Sequence, residues 1–206
     1  SANRIRREGM AHAPAHPWLH SSYLRLLQPT WGGNWEEMYT YVTALREQYK
    51  DDPDLGFLNG YAESHLAEQL WHQGQYAQAL HYVISAIAER DTASRRTLRA
   101  QIRIAMKDYD KALEQINLAI AMEPDEPAYY FIRSRIHFVQ KRPDEGIADL
   151  NRGVELDPYD PTYLLNRVAK LQQFANAQQN SGETEKRAET LRQIKSDLTN
   201  ALAHGE

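Results

Sequence analysis

A chain that repeats itself with a period of about 34 residues folds as stacked copies of one small unit. This chain carries three such copies. Gly74-Gln75-Tyr76 is followed by Ala79, Val83 and Ala86. The last four of these return one period later as Tyr109, Ala112, Ile116 and Ala119, and a further period beyond the last three stand Gly146, Leu150 and Gly153. Upstream, Ala67, Ala100, Ser134 and Val168 keep a 33, 34 and 34 spacing. Glu123-Pro124-Asp125-Glu126-Pro127 recurs after one more period as Asp157-Pro158-Tyr159-Asp160-Pro161. Proline is disfavoured in a helix interior and suits its first turn, so each proline pair ends one helix and opens the next.

The recurring residue types have a physical reading. Two antiparallel helices approach closely only where side chains are small, so Ala, Ser or Gly must return wherever helices cross. Tyr76 and Tyr109, with Val83, Ile116 and Leu150, fill the space around those crossings. One hairpin leaves apolar faces uncovered, and stacked neighbours join them into a continuous core.

This pattern resembles the tetratricopeptide repeat family. Its consensus has small residues at the eighth, twentieth and twenty-seventh places, an aromatic at the seventeenth and proline at the thirty-second. With Gly60, Ala93 and Pro127 as first places, the match runs from Gly60 to Pro158. The resemblance implies an all-α fold, a right-handed α-α superhelix of antiparallel helical hairpins. The repeats divide as 60–92, 93–126 and 127–160, with a partial fourth at 161–178. Arg96, Arg99, Arg103 and Arg133 stand at consensus aromatic or leucine places, and Pro143 replaces the aromatic of the third hairpin.

Both flanks read as helical. Residues 183–203 carry Ala188, Leu191, Ile194, Leu198 and Leu202 at spacings of three and four, and read as a polar-faced helix capping the open end. Asn180-Ser181-Gly182 is a turn before it. Residues 1–16 read as a flexible arm and 17–59 as a helical section, with Asn34 as N-cap and Glu36 and Glu37 in the first turn. Asp51-Asp52-Pro53 stops that helix, and the next is expected from about Asp54. The turn Pro29-Thr30-Trp31-Gly32-Gly33-Asn34 resembles one in an uncharacterised group of bacterial proteins linked with tetratricopeptide-like helices, which implies a bacterial source and no activity. Trp31 and Trp35 are expected to pack.

Composition narrows the functions. The chain holds 206 residues with a net charge of −4 and no cysteine, which excludes disulfides and thiolate metal sites and argues against a general nucleic-acid binder. No apolar run suits a membrane span, so a soluble protein of cytoplasm or periplasm is expected. No phosphate loop, dinucleotide fingerprint, nucleophile elbow or paired-His zinc helix is present, and no cofactor, metal or catalytic residue is assigned. His12, His16 and His20 share a four-residue spacing, but Pro14 and Pro17 interrupt it, and exposed, flexible histidines are the expectation.

In the tetratricopeptide family the first helix of each hairpin lines a concave groove. Carried onto this chain, the groove residues are Tyr61, Ser64, His65, Glu68 and His72 in the first repeat and Thr97 and Gln101 in the second. Phe131, Arg135 and Phe138 follow in the third, and Asn166 in the fourth. Trp71 and Phe138 fall either in the groove or in the core. Members that clamp a chaperone's C-terminal carboxylate use Lys and Asn at the fifth and ninth places of the first repeat. Ser64 and Glu68 stand there, so no such clamp is expected. Arg95, Arg96, Arg99 and Arg103 make a basic stripe, read as a solvated face paired with nearby carboxylates, as a contact for an acidic partner or, third and weakest, as a contact for RNA.

The leading expectation is a non-catalytic module binding a protein or peptide, with homo-oligomerisation left open. A bacterial immunity protein neutralising a toxin by direct binding is an alternative. A further one is an enzyme using His65, Glu68 and His72.

Overall fold

The computed structural model describes residues 16–28, 31–58, 60–182 and 184–204, and every α or 3-10 segment among them belongs to an all-α array of antiparallel hairpins. The chain divides into two compact units, Ser1–Ile102 and Arg103–Glu206.

The first unit opens with α1 (Pro17–Leu26) and α2 (Trp35–Gln48). His16 caps α1, its Nδ1 accepting from the Trp18 amide at 3.2 Å. Asn34 caps α2, its Oδ1 accepting from the Glu37 amide at 2.7 Å. Between them Gly33 lies so close to the Leu27 backbone that no Cβ would fit. Trp35 packs partly buried against the core, whereas Trp31 is 65% exposed and does not fulfil the expected packing role.

No α-helix starts at Asp54. A 3-10 turn, Pro53–Leu58, intervenes, and α3 (Tyr61–His72) begins after Gly60. Gly60 is left-handed (φ 70°), and a Cβ there would meet the Ala86 carbonyl oxygen at 2.5 Å. Continuing the helix backwards is therefore barred by both conformation and space.

Next come α4 (Tyr76–Glu89) and α5 (Ala93–Ala105). The turn between α3 and α4 holds Gly74 at φ 76°; the same turn is held by Lys107 (φ 61°) after α5 and, in the third hairpin, by Lys141 (φ 59°). The repeat thus imposes left-handed geometry on lysine where its first copy uses glycine.

Helix α2 has 14 residues, as does α4, and buries Met38, Val42 and Leu45 at the places where α4 buries Ala79, Val83 and Ala86. The N-terminal section is therefore a hairpin of the same design. Its crossing with α1 is filled by Met38 and Leu45, packed with Leu24 and Leu27, instead of alanines. The 3-10 insertion lengthens the step from Val42 to Val83 beyond one period, so the rhythm of the later copies does not reveal it.

The second unit holds α6 (Tyr109–Met122), α7 (Pro127–Val139), α8 (Pro143–Leu156), α9 (Pro161–Ser181) and α10 (Thr184–His204). Pro127, Pro143 and Pro161 are each the first helical residue, where the missing amide costs nothing. That explains how Pro143 can replace an aromatic.

Small residues do mark the crossings. Ala67, Ala79, Ala86, Ala100, Ala112 and Ala119 are fully buried and Ser134 nearly so. In the third hairpin a Cβ on Gly146 would sit 2.9 Å from Phe138 Cε2, and one on Gly153 would collide with Phe131 Cε2. Each glycine makes room for a ring.

Polar clamps join successive helices. Arg133 donates to both Asp149 oxygens on α8 (Nη2 to Oδ1 2.6 Å, Nε to Oδ2 2.9 Å) and to Asn117 Oδ1 on α6 at 2.9 Å. Arg167 repeats the pattern one period on, donating to Asp197 (2.5 and 2.8 Å) and to Asn151 Oδ1 at 3.1 Å. Asp149 and Asp197 are buried, and His137 Nε2 lies 3.5 Å from Asp149, its basicity lowered by burial.

The clamp on Asp197 sets the rotation of α10. Its buried line is Thr190, Ile194, Asp197 and Ala201, while Leu191, Leu198 and Leu202 of the expected apolar face are exposed. Asp197 must point inward to reach Arg167, and Ala201 packs with Val154 and Leu164, which turns the leucines outward. The face of the terminal helix is therefore less polar than expected.

Two outcomes follow in chemical denaturation. Gly153→Ala should destabilise by about 1–3 kcal/mol through overpacking, and Phe131→Leu in the same chain should recover part of that loss. Asp197→Ala, which leaves Arg167 without its carboxylate, should cost about 3–5 kcal/mol, whereas Arg167→Met combined with Asp197→Leu should cost less than Asp197→Ala alone.

Candidate functional site

Helix α3 places Tyr61, His65, Glu68 and His72 at intervals of four, three and four, which is one face of a helix. Over that face lies Trp35, the first residue of α2, stacked on His65 with ring centroids 5.5 Å apart and planes 21° from parallel. Tyr61 also lies against the imidazole, with centroids 4.5 Å apart and planes tilted by 57°. The result is a pocket of about 470 Å³ within the first unit, lined by Gln28 and Trp35 from the N-terminal hairpin and by His65, Glu68, Gln69 and His72 from α3.

Burial pushes His65 below the usual imidazole range; Glu68, its Oε2 3.8 Å from Nδ1, opposes that shift and Arg95 adds to it. Burial likewise raises the Tyr61 phenol, against Gln28 and Arg25. Near neutral pH the pocket therefore presents a neutral imidazole stacked on Trp35 and touched by Tyr61, an exposed carboxylate and carboxamides. Such a set recognises a side chain by stacking and hydrogen bonding. Among the described residues, no group of three or more His, Asp or Glu gathers closely enough to hold a metal ion.

The remaining groove candidates fare differently. Ser64 is engaged internally: its Oγ donates to the Gly60 carbonyl at 2.6 Å and accepts from Arg95 Nε at 2.8 Å. Thr97 and Gln101 are partly buried on α5. Phe131 stacks on Tyr163 (4.5 Å, 12°) beside Gly153, and Phe138 covers Gly146, so both rings serve packing. Trp71 packs against the core around Leu70 and Val83. Arg135 and Asn166 are exposed on α7 and α9, Asn166 Nδ2 donating to the Thr162 carbonyl at 2.8 Å.

The four arginines of α5 do not form one basic face. Arg95 is buried and ties α5 to the end of α4, donating to the carbonyls of Ala86 (3.0 Å) and Arg90 (2.5 Å). Arg96 pairs in bidentate fashion with Asp91 (2.8 and 2.6 Å) and holds that carboxyl below its usual range. Arg103 donates to Asp108 at 2.7 Å, and Arg99 is partly buried.

Among the histidines at four-residue spacing, His12 lies outside the described residues. His16 serves as a helix cap and His20 is buried, its Nδ1 2.8 Å from the Tyr41 hydroxyl. His20 is therefore neither exposed nor flexible, because α1 starts at Pro17 and turns this position inward.

Residues 97–161 match a family model described as a tetratricopeptide repeat. Among solved structures, MamA from Desulfovibrio magneticus RS-1 is similar with a TM-score of 0.59 at 16% identity, covering 90% of this chain and 96% of that one. The first tetratricopeptide domain of Spaghetti (RPAP3), bound to the HSP90 peptide SRMEEVD, gives 0.53 at 20% identity, over 58% of this chain and 92% of that one. The tetratricopeptide domain of Arabidopsis OM64 gives 0.53 at 15% identity, over 57% and 98%. At these identities the likeness is one of fold. No curated protein matches the chain. Among the described residues no helix is long and apolar enough to cross a membrane.

In an NMR titration His65 should ionise below the ordinary value of about 6.5, and Glu68→Gln should lower it further by removing the one opposing charge. Because the folded value lies below the unfolded one, the stability tied to neutral His65 is complete above about pH 6.5 and is lost as pH falls from there through the folded value. Denaturant midpoints of the wild type and His65→Gln should therefore converge on acidification.

Proposed function

We propose that this chain is a non-catalytic interaction module that takes a protein or peptide partner on the first-helix faces of its hairpins, with the Trp35–His65 pocket as the anchor. The observation that carries this reading is the pocket itself. It is concave, partly aromatic and edged with carboxamides, a carboxylate and imidazoles, and it opens on the helix face expected to meet partners. Within the second unit, Arg135 and Asn166 are exposed on the first helices α7 and α9. The Spaghetti domain supports the reading, since a hairpin array of similar fold holds a peptide.

The carboxylate clamp is a poor model for the contact. Ser64 is engaged by Arg95 and Gly60, and Glu68 would repel a terminal carboxylate. A partner side chain that stacks on Trp35 while donating to Glu68 fits better.

A photo-crosslinker at Gln69, used in the source cell, tests this. A discrete partner should be captured, and Trp35→Ala with His65→Ala and Glu68→Ala should lower capture about tenfold or more while helical circular dichroism is kept. Capture unchanged in that folded triple variant would reject the pocket as the anchor. One tight stoichiometric partner would mark an inhibitor, and several weaker partners a scaffold.

A further inference from the structure

Helix α10 leaves its own leucines in solvent. Leu191, Leu198 and Leu202 are 42%, 38% and 82% exposed while Thr190 and Asp197 are buried. At 3.6 residues per turn the three leucines share one row with Lys195, which stands between Leu191 and Leu198, and Arg192 lies on its margin. Among the described residues neither cation forms an ion pair with a side chain. A row of exposed leucines on one helix face marks a contact surface.

The charge on that stripe selects its occupant. Two copies of α10 packed against each other about a two-fold axis would bring Lys195 and Arg192 against the same cations of the partner copy, which is unfavourable. The needed complement is apolar with an acidic edge, and the α1–α2 hairpin has one. Between those helices lies a pocket of about 430 Å³ whose walls include Tyr23, Tyr41, Thr40 and Ala44, with exposed Glu36 and Glu37 at its edge. Glu37 Oε1 receives a long hydrogen bond, 3.4 Å, from the Tyr23 hydroxyl.

We propose that the leucine stripe of α10 in one copy docks on the acidic α1–α2 pocket of a second copy, head to tail. The leucines enter the pocket, and Arg192 and Lys195 meet Glu36 and Glu37. Such a contact joins different faces on its two sides, so assembly grows with concentration. This inference is independent of the partner proposed for the Trp35–His65 pocket.

Sedimentation velocity on the full chain tests it. The weight-average mass of the wild type should rise with concentration, passing twice that of one chain, and high salt should weaken the rise. A tail variant, Leu198→Asp with Leu202→Asp, and a head variant, Glu36→Lys with Glu37→Lys, should each remain monomeric with helical circular dichroism unchanged. Mixed together they should form a 1:1 pair and nothing larger, because each supplies the face the other lacks. Glu36→Gln with Glu37→Gln, gentler on the start of α2, should weaken self-association about tenfold. A wild type that stays monomeric at its highest attainable concentration overturns the proposal. So does self-association that both glutamate variants leave untouched, or a mixture of head and tail variants that forms no pair.

Discussion

The closest helix approaches need side-chain volume given up, and that trade organises the repeat hairpins from α3 to α8. In the first repeat copies alanine supplies the gap, and Ala67, Ala79, Ala86, Ala100, Ala112 and Ala119 lose all contact with solvent. In the third hairpin the trade goes further. Gly146 and Gly153 give up even the methyl group, and Phe138 and Phe131 occupy the space. Protein interiors are packed so densely that the ring and the glycine form one unit. Two residues that would suit partner binding by position are thereby packed, half-buried, against those glycines.

A second constraint is laid over the first. Arginine replaces the consensus leucine on successive first helices and reaches both its own hairpin and the preceding helix, as Arg133 does to Asp149 and Asn117 and Arg167 to Asp197 and Asn151. Buried carboxylates tolerate so little misalignment that the clamp fixes helix rotation as well as spacing. The clearest consequence is α10, which turns Asp197 inward and its leucines outward. A polar requirement on one side of a helix thus creates an apolar surface on another.

The candidate site arises where the N-terminal hairpin meets the first repeat. The periodicity of α3 is enough to put Tyr61, His65, Glu68 and His72 on one face. Trp35 and Gln28 are not legible as their neighbours, because the 3-10 turn at Pro53–Leu58 stretches the step from Val42 to Val83 past the length of a repeat. The arginine ladder is legible in principle, since Arg99, Arg133 and Arg167 stand one period apart. Its sign misleads, however: arginine at helical spacing reads as surface charge, and only the carboxylates facing Arg133 and Arg167 show those two turned inward.

The class of architecture is readable from the chain alone. Small residues at a steady period, closed by proline pairs, admit little besides stacked helical hairpins, because close helix crossing is a local steric demand written at each position. Helix starts at Asn34, Pro127 and Pro161 are equally local, resting on one cap or one missing amide. The direction in which ambivalent side chains point was settled only in three dimensions. Phe131, Phe138, Arg95, His20 and the leucines of α10 are each compatible with more than one environment. Their fates hang on a partner distant in the chain: Gly153, Gly146, Ser64, Tyr41 and, for the leucines, the bond between Asp197 and Arg167. Periodicity reports which residues share a face; it carries no information about what that face will meet.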